Sequence, residues 1–239
     1  FTLGDMAGAV YDEPPCYWQG YIIRDILSGK YGPVTVDDQV MKWRGNSVEF
    51  IDGVIALTEI CTWAVFHVSN HNFAAKYLTG MPRPEEVAYA VAAGEIRQKH
   101  VPDQLYTNIM KLNLNHAVDF TAYPDGSPRH PSYPAMHSAA SNISFWLQVV
   151  LKPTAEQICE MKKIDYAVSY ARTVAGVHYP QDNKAGLKLG QEIMKRELPH
   201  YLSEKFHGDE EYIREKVEKV SFNWDEIDPA DICDNLSYS

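Results

Sequence analysis

Gly53–Pro84 reads GVIALTEICTWAVFHVSNHNFAAKYLTGMPRP. Val54, Ile55, Leu57, Ile60, Cys61, Ala64 and Val65 recur at helical spacing and cover broad apolar faces. The pattern predicts a long helix from Ser47 to Leu78, allowing for one break. Gly80-Met81-Pro82-Arg83-Pro84 ends it, because a proline lacks the amide and clashes with the preceding turn. Glu59 and His67 interrupt the apolar run, which makes it too short and too polar for a membrane span.

Working outward, the same periodicity recurs. Glu85–Arg97 restarts a helix with acidic residues in its first turn, where they favour the helix dipole. Asp103–Leu112 follows, then a proline-rich loop over 121–134. Further helices are predicted at 135–151, 154–175 and 180–206, with Thr154 and Pro180 marking starts, and a short charged one at 209–219. On the N-terminal side, Val36–Arg44 is a short helical candidate, and residues 1–34, rich in glycine, proline and aromatics, read as an irregular arm. The acidic tail, 222–239, is expected to wander. Strand signals are few and there is no linker or repeat. The expected fold is one all-α domain, a helical bundle over residues 1–239.

A chain of 239 residues is long enough for a sizeable core, and 45% hydrophobic content is ordinary for a globular protein. A net charge of −10 argues against nucleic acid or an anionic membrane as partner. A small-molecule substrate, an anion included, is compatible with it, since a few arginines can build a local positive pocket. Homo-oligomerisation is left open. The chain starts at Phe1, so the native start is expected to be missing; a leader could have been removed, and the location, secreted or organellar included, is left open. The four cysteines are scattered, against zinc or a redox dithiol. Cys61 and Cys159 read as buried thiols, and a Cys16–Cys233 bridge would join the two ends. Asn142 and Asn235 open glycosylation sequons, the first on an expected core helix. His67 and His71, one helical turn apart, could share a metal, but no third ligand is placed by sequence.

The chemistry concentrates in three segments where cations or histidines stand beside proline-locked loops: KYLTGMPRP with Lys76 and Arg83, HPSYPAMH with His130 and His137, and SYARTVAGVHYPQD with Arg172, His178 and Asp182. Together they could cage a tetrahedral oxyanion. Such an ion is costly to desolvate without several fixed donors. Arginine forks bind it bidentately and lysine adds a point charge. A histidine can bond its central atom, a carboxylate can fix that histidine's tautomer, and a second histidine can carry protons.

The combined spacing resembles the superfamily of vanadium-dependent haloperoxidases, type-2 phosphatidic acid phosphatases and bacterial class A acid phosphatases. The likeness spans about residues 76–182. It implies an all-α bundle of the haloperoxidase/acid phosphatase type, with a pocket at one end of the helices around 135–151 and 154–175. It implies that Lys76, Arg83 and Arg172 bind the anion, that His178 ligates vanadium or attacks phosphorus, that Asp182 orients His178, and that His137 is the acid–base group. His130 in HPSYPAMH resembles the algal bromoperoxidase segment HPAYPSGH, where the extra histidine lines the same site; the length is more phosphatase-like. The leading expectation is therefore an oxidoreductase with vanadate as cofactor, and neither haem nor nucleotide, that oxidises halide with hydrogen peroxide. The alternatives are a phosphomonoesterase with a histidine nucleophile, and a vanadium-free homologue. The last is motivated by a departure: the family reads Pro-Ser-Gly-His where this chain reads Pro134-Ala135-Met136-His137. Alanine forfeits a hydroxyl bond to a charged acceptor, worth roughly 1.5–3 kcal/mol, and Met136 can crowd the anion-binding space.

Overall fold

Gly53–Thr79 lies in one helix, the longest among the described residues, and Pro84 begins the next. The computed structural model describes residues 15–42, 50–226 and 232–233, and is all-α. Its α-helices are α1 (Pro15–Leu27), α2 (Phe50–Thr79), α3 (Pro84–Ala92), α4 (Asp103–Lys111), α5 (Met136–Ala140), α6 (Ile143–Val150), α7 (Ala155–Val174), α8 (Pro180–Phe206) and α9 (Glu210–Lys219). Among the described residues there is no strand, and a lone bridge pairs Val36 with Leu151. No described helix is long and apolar enough to cross a membrane.

The core is built around α6. Ile143, Phe145, Trp146, Leu147, Val149 and Val150 are all buried, and Gln148 alone in this helix is partly exposed, so the core encloses it on nearly every side. Around it lie Ile22, Ile23 and Ile26 of α1, Leu57, Ile60 and Val68 of α2, Met161 and Val168 of α7, Leu198 and Leu202 of α8, and Ile213 and Val217 of α9.

Several expectations are corrected. Residues 15–27 form α1 rather than an irregular arm, because Ile22, Ile23 and Ile26 make one apolar stripe that the core covers. Residues 36–42 form a turn rather than a helix, with the Asp37 amide donating to the Val150 carbonyl at 2.9 Å; residues 43 and 44 lie outside the described residues. The helix expected over Glu85–Arg97 stops at Ala92, and Gly94 just beyond takes a positive φ of 77°. The expected helix 135–151 is broken at Ser141-Asn142. The cause is Asp165 of α7, wholly buried, which accepts from Ser141 Oγ at 2.9 Å and from the Ile143 and Ser144 amides at 3.0 and 2.9 Å. That carboxylate satisfies the first amides of α6 and so gives the second helix its start. Burial lifts its pKa to about 7, against the pull of those bonds.

Cys159 is disulfide-bonded to Cys233, so it is not a thiol, and Cys233 is not joined to Cys16. Cys61 is a buried thiol whose Sγ donates to Gln19 Oε1 at 2.8 Å. Residues 222–226 do not wander: Gln191 and Phe222 exchange two hydrogen bonds of 3.0 Å, and Trp224 is buried. Asn142 is wholly buried with its Nδ2 donating to the Ala139 carbonyl, a position closed to glycosylation; Asn235 lies outside the described residues.

Candidate functional site

The three chemical segments meet where α2 ends, α3 and α8 begin, and the loop 129–134 crosses them. Lys76, in the last turn of α2, is fully buried and its Nζ donates to the Pro131 and Ser132 carbonyls at 2.9 and 2.8 Å. Arg83 stands in extended backbone between two prolines, just ahead of α3. Its Nε donates to the His130 carbonyl at 3.0 Å. One terminal nitrogen donates to the Val177 carbonyl at 2.7 Å and to His178 Nε2 at 3.0 Å, and the other to His130 Nδ1 at 3.0 Å. One rigid fork thus touches both histidines.

Arginine can only donate, so Nε2 of His178 is an acceptor and the ring proton is on Nδ1. Nδ1–H points to Asp182 Oδ2 at 3.2 Å. The same oxygen accepts from Ser132 Oγ and from the Tyr179 amide. Burial, with Arg83 and Lys76 close by, holds His178 neutral, and the Asp182 bond opposes that without reversing it. Asp182 is buried, which alone would raise its pKa, yet the bonds from His178, Ser132 and the Tyr179 amide hold it below the usual carboxylate range. Burial, then repulsion from Arg83, brings Lys76 down to about 7. Burial also brings His130 down to about 4, with Arg83 and Lys76 adding to it.

Arg172, in the last turn of α7, is buried and bonds the Tyr123 hydroxyl. Its carbonyl accepts from the amides of Val177 and His178 at 3.2 and 3.3 Å, so it shapes the loop that presents His178. His137 and Met136 open α5 and are half-buried. That helix is clamped to the start of α8: the Ala135 amide donates to the Asp182 carbonyl at 2.9 Å, and Ser138 Oγ to Asn183 Oδ1 at 3.1 Å. The clamp requires glycine on α8, because a Cβ at Gly186 would lie 2.4 Å from the Ala135 carbonyl oxygen and one at Gly190 1.9 Å from that of Ala139.

Lys76, Arg83, His130, His178 and Asp182 therefore share one bonded network. Arg172 joins it through the backbone and Tyr123, and His137 through the anchoring of its helix. Ser132 and Tyr123 were not singled out from sequence. Ser132 lies inside HPSYPAMH, but a serine in a proline loop carries no signal of its own. The site sits beneath the 129–134 loop, beside the start of the 135–151 segment and the last turn of α7. Elsewhere, His67 stacks on Trp63 at 5.1 Å and lies 5.6 Å from His71, and no group of three histidine, cysteine or acidic residues able to hold a metal occurs among the described residues.

Three cations, Lys76, Arg83 and Arg172, are buried here, and the carboxylates of Asp182, Glu85 and Glu86 act on Arg83. A comparison of the chain with protein-family models, curated proteins and solved structures finds no match to any.

Proposed function

We propose that the chain is a haloperoxidase-like enzyme that holds vanadate beside Nε2 of His178. The observation that carries this reading is the Arg83 fork, bonded at once to His178 Nε2 and His130 Nδ1. It joins the resemblance-bearing histidine to the one that distinguishes the bromoperoxidase-like segment. The residues fit such a group: buried positive charge for a tetrahedral oxyanion, and an unprotonated imidazole nitrogen for its central atom.

Lys76, Arg83 and Arg172 would hold the oxyanion and His178 would ligate it. When bound, vanadate supplies the activation of hydrogen peroxide toward halide. Asp182 keeps the Nδ1 proton of His178 in place, and Nε2, which accepts from Arg83 at 3.0 Å, would exchange that bond for the oxyanion's central atom. Ser132 steadies Asp182. His130, neutral at physiological pH, fixes the Arg83 fork without adding charge. His137 carries protons from the first turn of α5.

The test is bromination or iodination of a phenol dye with hydrogen peroxide while vanadate is titrated. Product that rises with vanadate and is abolished in His178→Ala is expected. No product with either halide at saturating vanadate removes the reading. If the chain instead hydrolyses a chromogenic phosphate ester, lost in His178→Ala and inhibited by vanadate, the same nitrogen serves as a phosphatase nucleophile.

A further inference from the structure

We infer that the cleft between α7, the start of α8 and the segment 222–226 binds a small, neutral, planar aromatic molecule bearing an oxygen acceptor. The cleft is about 500 Å³, within the roughly 300–1,000 Å³ of small-molecule sites. One wall is a pair of rings: Tyr166 and Tyr170 stack with centroids 5.7 Å apart and planes 11° from parallel. Tyr170 is 46% exposed, a large apolar ring left uncovered beside the opening. Trp224, almost wholly buried, also lines it.

Two lining residues carry buried polar atoms with no partner in the chain, Ser169 Oγ and Trp224 Nε1. A buried group left unpaired is destabilising. An indole nitrogen can only donate, so what it lacks is an acceptor, and one ligand oxygen would supply it. Asn183 and Lys184, which also line the cleft, are already matched. Asn183 Oδ1 accepts from Ser138 and its Nδ2 donates to Thr173 Oγ1 at 2.8 Å. Lys184 pairs with Asp225 at 3.0 Å. The cation at the rim is thus neutralised, which selects a phenol or aryl ketone over an aromatic carboxylate. The site is independent of the anion chemistry proposed above.

The experiment is a ligand-observed NMR titration of the full chain with 4-hydroxyacetophenone as probe and toluene as the acceptor-free control. Saturable binding of the probe is expected, weakened about fivefold or more by Ser169→Ala and by Trp224→Phe, which keeps an aromatic ring but removes the N–H. Toluene binding should be indifferent to Ser169→Ala. Tyr170→Ser, at an exposed ring whose loss leaves the fold intact, should also weaken the probe. No saturation at millimolar probe overturns the inference. So does unchanged affinity in Tyr170→Ser, even if the two buried variants fold poorly.

Discussion

At the scale of single residues, the departure at Ala135-Met136 and the titration of Lys76 set what the site can hold. Ala135 is fully buried with its amide committed to the Asp182 carbonyl, and Met136 is half-buried at the start of α5. Calorimetric titration with vanadate and phosphate should find weak binding in the native chain. Ala135→Ser with Met136→Gly should bind at least roughly tenfold more tightly, about 1.4 kcal/mol. Tight native binding with no gain would refute a weakened site, and no binding in either chain would mean that the cations do not form a cage. Lys76 gives a second handle. Its folded pKa, about 7, lies below that of a free lysine because burial and Arg83 disfavour its charge. It is protonated below pH 7 and neutral above, so it attracts an anion only on the acid side. Sulfate, whose charge is constant over this range, should bind more weakly as pH rises from 6 to 8, with proton uptake at the higher pH. Calorimetry in buffers of different ionisation enthalpy measures both, and a flat affinity would show that Lys76 stays charged. His130 and His178 are held neutral throughout this window and contribute no slope.

At the scale of elements, local periodicity carried most of the helices. Pro180 and Thr154 announce α8 and α7 because their chemistry is local: a proline at the first helical position, and a threonine whose hydroxyl accepts from Gln157 N. What was illegible depends on distant partners. The break between α5 and α6 comes from Asp165, more than twenty residues further along, and nothing in SAASN distinguishes a continuous helix from a capped pair. The α1 helix was hidden by glycine, proline and aromatics, although its three isoleucines already formed a stripe. In the site, cations and histidines were legible because few other roles bring them beside prolines, whereas Ser132 and Tyr123 gain meaning only from the groups they touch. The close approach of α5 to α8 makes a sharp prediction. Gly190→Ala would place a methyl carbon against the Ala139 carbonyl and 2.3 Å from Asn142 Nδ2, and neither lies on a free end that can swing away. The cost should be about 1–3 kcal/mol by urea denaturation. Because α5 carries His137 and is tied to Asp182, oxyanion affinity should fall with it. Unchanged stability would mean that the two helices separate freely.

At the scale of the whole molecule, the C-terminal segment is fastened twice. Near at hand, Gln191 holds Phe222, Asp225 is paired with Lys184 and Lys188, and Lys162 lies 3.8 Å over the Phe222 ring. Farther along, the disulfide from Cys233 reaches back to α7, across a sequence separation of 74. These two fastenings act on different states. The first set orders the folded chain around Trp224. A cross-link closing so long a loop chiefly restricts the unfolded chain, by roughly 4 kcal/mol in the chain-entropy model. Cys233→Ser should therefore lower stability by about 2–4 kcal/mol while leaving the native near-ultraviolet spectrum of the tryptophans unchanged. Urea unfolding followed by circular dichroism measures the first, and the spectrum before denaturant the second. The denaturant slope should rise, because the freed unfolded chain exposes more surface. A reducing agent added to the native chain should reproduce all three effects. If the spectrum changes instead and the midpoint does not, the bridge organises the folded segment around Trp224 rather than constraining the unfolded one. The aromatic cleft would then depend on an oxidising environment for its shape.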